Sequence, residues 1–248
     1  MISDHDIARD LAEAAGRLLL EVRAQSGASD PEALRDLGDR RSHDLLMELL
    51  AQRCPSDAVL SEEGADDPVS RAGARRLWIV DPLDGTREFS EGRADFAVHV
   101  ALVEDGRLTA GAVAVPAQGR LHTTAAGELV ARTPVRVPRL AVSRTRPGAE
   151  SALLADRLGG ELVPMGSAGV KAMAVLTGEV DAYVHSGGQY VWDSAAPVAV
   201  AAAAGLHTSR LDGSPLVYGA ETTWLPDLLI CRPQLAGQIL TTLTEVAT

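Results

Sequence analysis

The run Leu77-Trp78-Ile79-Val80 opens directly onto Asp81-Pro82-Leu83-Asp84-Gly85-Thr86-Arg87-Glu88-Phe89, and this junction constrains the chain more than any other stretch. Four consecutive apolar residues, a Trp and two β-branched side chains among them, predict a buried strand. Pro82 has no N–H to donate and is expected to end the strand's pairing. Asp81 and Asp84 flank that break. Gly85 allows a tight turn and a close approach of ligand to backbone, and Thr86 follows with a hydroxyl. Two acids at a strand end, beside a free amide and a hydroxyl, suit a hard cation and a phosphate. Asp, Pro and Gly also favour turns for local reasons, so the stretch alone admits a plain acidic turn.

Aromatic residues make up only 3% of the 248 residues, so the core has to be built from Ala, Val and Leu. Hydrophobic residues at 46% and charged residues at 23% form an ordinary globular mixture, enough for one large domain or two smaller ones. The net charge of −11 argues against a general nucleic-acid binder, whose affinity comes from Lys and Arg neutralising phosphates. An anionic small substrate stays open, because bound divalent cations invert the local sign. Cys54 and Cys231 have no metal-ligand spacing and read as buried thiols. The opening Met1-Ile2-Ser3-Asp4-His5-Asp6 has neither basic nor apolar leader character. The Ala-rich run 195–204 contains Pro197 and is too short to span a bilayer. A cytoplasmic protein with no membrane partner is expected.

Ile7, Leu11, Ala14, Leu18 and Val22 recur at helical spacing and predict an amphipathic helix over residues 4–24. Pro31 starts a second helical region that ends before Pro55 and carries Asp39 beside Arg40 and Arg41; taken alone, Asp39 reads as a solvated surface charge. Residues 58–60 form a short strand ending in Ser61-Glu62-Glu63-Gly64, a second pair of acids at a strand end. Residues 66–74 read as polar surface. Strands over 96–103, 108–115 and 121–124, joined by turns at Asp105-Gly106 and Pro116 to Arg120, predict an antiparallel meander. His99, mid-strand among apolar residues, reads as a hydrogen-bonded packing residue. Residues 130–139, with Pro134 and Pro138, mark a boundary between residues 1–133 and 134–248. Beyond it strands (140–143, 161–164, 181–185) alternate with helices (149–158 and one opening at Gly166), the pattern of an α/β unit. Gly166-Ser167 at that helix start offers N–H groups to an anion, with Lys171 one turn in; an N-cap explains the same residues. Gly187-Gly188-Gln189-Tyr190 reads as a flexible loop, and Asp193 enters an Ala-rich helix where capping alone would explain it. A core strand over 228–231 and a helix from Pro233 close the pattern.

Ser61-Glu62-Glu63, the run from Trp78 through Thr86, and Trp192-Asp193-Ser194-Ala195-Ala196 together resemble, in type, order and interval, the inositol-monophosphatase-like family of lithium-sensitive, metal-dependent phosphatases. Arg87-Glu88-Phe89, the block from Gly166 through Met173 and the Gly187-Gly188-Gln189 loop look like its CysQ-type branch, the 3′(2′),5′-bisphosphate nucleotidases. Inositol-phosphate enzymes more often carry Asn where this chain has Glu88. One stretch departs: the family usually reads Val-Thr-x-Ala-Asp where this chain has Arg35-Asp36-Leu37-Gly38-Asp39, although the spacing from Asp39 to Glu62 suits it.

The resemblance implies an α+β fold, a layered αβαβα sandwich with an antiparallel sheet first, in a metal-binding half over residues 1–133, and a smaller α/β half over 134–248 that closes the site. It implies that Glu62, Asp81, Asp84 and Asp193 hold two or three Mg²⁺ ions, with the carbonyl of Leu83 as a further ligand. Every implied ligand atom is an oxygen, which favours Mg²⁺ over Zn²⁺. Gly85 and Thr86 would hold the phosphate, with Ser167 and Lys171 also facing substrate, and Thr86 together with Asp39 would orient the attacking water. The implied activity is hydrolysis of the 3′-phosphate of adenosine 3′,5′-bisphosphate to AMP and phosphate, with 3′-phosphoadenylyl sulfate as a related substrate. Inositol 1-phosphate and fructose 1,6-bisphosphate are alternatives of the same class. A non-catalytic, metal-dependent binding protein is the alternative of another class. Family members are often dimers, so a homodimer is an open expectation.

Overall fold

The computed structural model describes residues 2–26, 30–125, 127 and 135–247. Helix α1 (Asp4–Gln25) starts with a capping box: the Ser3 hydroxyl accepts from Asp6 N, and the Asp6 carboxylate accepts from Ser3 N. Its buried stripe is Ile7, Leu11, Ala15, Leu19 and Val22, so the face turns one residue past the expected Ala14 and Leu18. Helix α2 (Pro31–Arg53) is capped by Asp30, which accepts from Glu32 N and Ala33 N, with Pro31 at the first helical position.

Strand β1 (Ala58–Ser61), helix α3 (Pro68–Ala72), strand β2 (Arg76–Asp84), helix α4 (Thr86–Ser90) and strands β3 (Ala97–Glu104), β4 (Arg107–Val115) and β5 (Arg120–Thr123) complete the first part. They form a five-stranded sheet in the order β1-β2-β3-β4-β5. β2 through β5 are the expected antiparallel meander. β1 instead pairs parallel to β2, so the sheet is mixed; the segment containing α3 is the crossover a parallel pair requires.

The second part runs β6 (Arg139–Ser143), α5 (Ala149–Leu158), β7 (Glu161–Met165), α6 (Ala168–Thr177), β8 (Ala182–Tyr190), α7 (Val191–Ala203), β9 (His207–Ser209), β10 (Trp224–Cys231) and α8 (Pro233–Ala247). Its sheet has the order β7-β6-β8-β10-β9, parallel among β7, β6 and β8 and antiparallel around β10. The expected boundary between residues 133 and 134 lies outside the described residues.

Side-chain alternation along the strands builds the layers. Trp78 and Val80 face α1 and α2, whereas Leu77 and Ile79 face α6 and α7. Tyr183, Leu228 and Ile230 close that middle layer from the second sheet, whose other face packs Leu140, Val184 and Leu229 against α5 and α8. The result is the αβαβα sandwich. Cys54 and Cys231 are buried free thiols in separate clusters. Among the described residues, no helix is long and apolar enough to cross a membrane.

Three segments differ from expectation. Pro82 does not end β2: Asp81 pairs with His99 and Asp84 with Ala97, so β2 takes one more residue than β3 to cover the same ladder. The missing N–H is absorbed as a bulge rather than as a strand end. Residues 66–74 are more than polar surface, because they hold α3 and the buried Arg71, whose guanidinium pairs with Asp66 and donates to the carbonyls of Ala220 and Glu221. Gly187 to Tyr190 is no loop but the end of β8, paired with β10 across a register shift. Gly187 and Gly188 adopt φ of +97° and +84°, which only glycine takes without strain.

Candidate active site

Alternation along β2 puts Asp81 on the same face as Leu77 and Ile79, pointing into the middle layer where α6 and α7 begin. Asp81 is 1% exposed. Its Oδ1 accepts from Leu83 N at 3.0 Å, fixing the turn after the strand. Its Oδ2 is buried and no donor reaches it. Asp84 follows the bulge, and the N-terminal end of α6 grips its Oδ2. The Ser167 hydroxyl donates to that oxygen, Gly169 N donates at 2.7 Å, and His99 Nε2 lies 3.3 Å away. Asp193 stands in the first turn of α7, where its Oδ2 accepts from Tyr190 N at 2.7 Å. One carboxylate oxygen from each of Asp81, Asp84 and Asp193 lies within 4.8 Å of the other two.

Glu62 follows β1, and its N–H continues the ladder to Val80 O at 3.3 Å. Its side chain sits at the open rim, but the carboxyl end faces that of Asp81. Asp39 is half-buried rather than solvated, because α2 packs closely on α4: a Cβ on Gly38 would stand 2.8 Å from Phe89 Cε1 and 3.0 Å from Leu83 Cδ2. Ser42 adds a buried hydrogen bond to Pro82 O at 2.7 Å. Gly85 caps α4 at φ +88°, and Thr86 is the first residue of that helix. Ser167 is the N-cap of α6, its hydroxyl accepting from Val170 N, and Lys171 is buried with its Nζ donating to Ser167 O at 2.6 Å.

Crowded carboxylates in a buried site resist ionisation together. Burial and then Asp193 push Glu62 up to about 7. Burial and then Asp84 push Asp193 up to about 6. Burial, then Glu62 and Asp84, hold Asp81 well above the carboxylate range. Asp39 rises to about 7 through burial and the charges of Glu63, Glu62 and Asp36. Asp84 is the exception: burial pushes it up, but His99, Lys171 and Ser167 outweigh that and hold it low.

His99 is the hydrogen-bonded packing residue that its place in the strand predicted, and the structure supplies its partners. It is completely buried, with Nδ1 3.1 Å from Trp192 O and Nε2 3.3 Å from Asp84 Oδ2. Burial opposes a charge on the ring, but Asp84 overrides it and raises its pKa. It packs so closely that a Cβ on Gly169 would stand 2.1 Å from Nε2. A polar residue facing inward from an otherwise apolar strand was the available sign.

The donor set tests what the site can hold. An orphaned buried carboxylate oxygen, three converging acids and only oxygen ligands fit a hard divalent cation, whose charge would cancel their repulsion. A layered αβαβα sandwich that gathers acids from one strand end and the first turn of an inner helix has the chemistry of a metal-assisted hydrolase. The chain belongs to the inositol monophosphatase family, whose profile matches residues 4–247. It is 51% identical over 259 residues to the 3′-phosphoadenosine 5′-phosphate phosphatase of Mycobacterium leprae, covering 99% of this chain and 95% of that one. It is 31% identical over 230 residues to the 3′(2′),5′-bisphosphate nucleotidase CysQ of Escherichia coli K12, covering 87% and 94%. Among solved structures, CysQ from Bacteroides thetaiotaomicron superposes with a TM-score of 0.82 at 27% identity, covering 94% and 98%.

Proposed function

We propose that this chain is a Mg²⁺-dependent phosphomonoesterase that removes the 3′-phosphate of adenosine 3′,5′-bisphosphate. The observation that carries the reading is 51% identity, along nearly the whole chain, to a phosphatase of that substrate, with the carboxylate cluster intact. Asp81, Asp84 and Asp193 would hold the metal from inside and Glu62 from the rim, with the Leu83 carbonyl completing the set. Residues 1–133 would supply Asp39 and the β2 acids, and residues 134–248 would close over them with Ser167, Lys171 and Asp193. Bound Mg²⁺ supplies Lewis-acid activation of water and neutralises charge on the phosphoryl group.

The chain's own groups do the rest. Gly85 N–H and the Thr86 hydroxyl bind a phosphate oxygen at the strand end. Asp39, protonatable near neutrality, accepts a hydrogen bond from the water that Thr86 orients. Ser167 and Gly169 N–H hold Asp84 against α6, and Lys171, whose Nζ donates to Ser167 O, adds positive charge beside the phosphate. Hydrolysis is direct, with no phosphoenzyme. The test is phosphate release from adenosine 3′,5′-bisphosphate, inositol 1-phosphate and fructose 1,6-bisphosphate, with Mg²⁺ and with a chelator. Preference for the nucleotide, abolished by chelation, supports the reading. Preference for a sugar phosphate keeps the metal chemistry and overturns the substrate, and no metal-dependent release from any of the three overturns the activity. Inhibition by Li⁺ should accompany the Mg²⁺-dependent release.

A further inference from the structure

Three aromatic rings lie beside the carboxylate cluster, and none has a part in the hydrolysis above. Tyr190 and Trp192 stack with centroids 4.7 Å apart and planes 10° from parallel. Trp224 stands against Tyr190 at 81°, with centroids 5.4 Å apart. Trp192 packs on the middle core, whereas Tyr190 remains 45% exposed and Trp224 46%. The chain has only 3 Trp and 3 Tyr, so leaving two such rings in water beside one site is a costly use of them.

The rings are tied to the site through the backbone. Tyr190 N donates to Asp193 Oδ2 at 2.7 Å, and Trp192, next to Asp193, turns its carbonyl toward His99. Three residues of chain span at most about 11 Å, so Tyr190 lies within a nucleotide's length of the carboxylates. The rings are also fixed in place. Trp224 and Tyr190 are paired across β10 and β8, and the Trp224 ring occupies the space of the Cβ that Gly188 lacks, 1.7 Å from Cζ2.

Resting on the phosphomonoesterase reading above, we propose that Tyr190 and Trp224 form a nucleobase subsite that takes the purine ring of a nucleoside phosphate by stacking. Stacking on aromatic faces is tolerant of base identity because every base has a π-face. The ledge therefore separates phosphates that carry a base from those that do not, rather than adenine from guanine.

The test is a tryptophan fluorescence titration of the Mg²⁺-loaded protein with adenosine 5′-monophosphate and with inositol 1-phosphate, followed by steady-state kinetics. The nucleotide quenches the emission and inositol 1-phosphate does not. Trp224→Ala and Tyr190→Ala each weaken nucleotide binding about tenfold. They lower the kcat/KM ratio of adenosine 3′,5′-bisphosphate over inositol 1-phosphate by a similar factor, mostly through KM. Tyr190→Phe keeps the ring and restores both. Absence of quenching, or alanine variants with wild-type affinity and ratio, overturns the subsite. Wild-type protein that is quenched by the nucleotide yet hydrolyses no nucleotide supports the subsite and sinks the hydrolytic reading instead.

Discussion

At the scale of the residue, the site is an arrangement of like charges held together by neighbours. Asp84 accepts from Ser167 and Gly169 and faces His99, while Asp193 accepts from Tyr190 N. Asparagine keeps an acceptor oxygen at either position, so Asp84→Asn and Asp193→Asn are expected to fold and to lose about 10²–10³ in kcat, the size of removing one electrostatic contact to a transition state. Asp193→Asn also removes one of the crowding charges, so its Tm in chelator should exceed that of wild type while the Mg²⁺-induced rise in Tm disappears. Near-wild-type turnover in either variant would refute the ligand assignment. A second expectation concerns Gly169, where a Cβ would stand 2.1 Å from His99 Nε2. Gly169→Ala should destabilise the fold by about 1–3 kcal/mol, measured by urea unfolding, and an unchanged midpoint would mean that His99 is free to move. Asp81 and Asp84 were legible because their chemistry is local: acids, Pro and Gly at a strand end. His99 was legible as a hydrogen-bonded packing residue, but its partners were not, because Asp84 and the carbonyl of Trp192, 93 residues away, meet it only in the fold.

At the scale of the element, most strands and helices announced themselves by period, and the exceptions share a cause. Pro82 looked like a strand end because a lost N–H is a local fact, while the β-bulge that accommodates it is made with β3. Gly187 and Gly188 looked like a loop because glycine is permissive, but here Gly188 admits the Trp224 ring from a neighbouring strand. The parallel pairing of β1 with β2 also lies beyond periodicity, which reports the faces of a strand and not its direction. Gly38 shows the same dependence in a helix. Its missing Cβ lets α2 settle against Phe89 and Leu83 and leaves Asp39, the next residue, half-buried. Gly38→Ala would gain helix propensity of roughly 1 kcal/mol but meet an aromatic ring. The net expectation is a lower urea midpoint and a weaker contribution of Asp39, seen as reduced kcat. A raised midpoint with unchanged kcat would show that α2 does not need this close approach.

At the scale of the whole molecule, the site links stability to pH and to metal. Burial and neighbouring carboxylates push Glu62 up to about 7 and Asp193 up to about 6 in the folded, ion-free protein, against 4.5 and 3.8 for ordinary carboxyls. Between those ranges the folded chain holds protons that the unfolded chain has released, so these groups make stability fall as pH rises from about 4 to about 7. Asp84, held low, acts in the opposite sense. A bound divalent cation replaces the protons, so the Tm difference between Mg²⁺ and chelator should grow from pH 5 to pH 8, with protons released on binding at pH 6. Scanning calorimetry and titration calorimetry in two buffers check this, and a pH-independent Tm difference would refute it. A meander followed by an alternating α/β unit was legible from the pattern, and the layering of the two was what the family resemblance implied. Asp84 belongs to the first sheet, yet its donors Ser167 and Gly169 lie beyond residue 160, and His99 completes its contact only with the carbonyl of Trp192. During synthesis, then, Asp84 emerges from the ribosome well before the donors that grip it. A nascent chain that stops short of α7 carries the most recognisable motif of the family but lacks Asp193 and the carbonyl that meets His99.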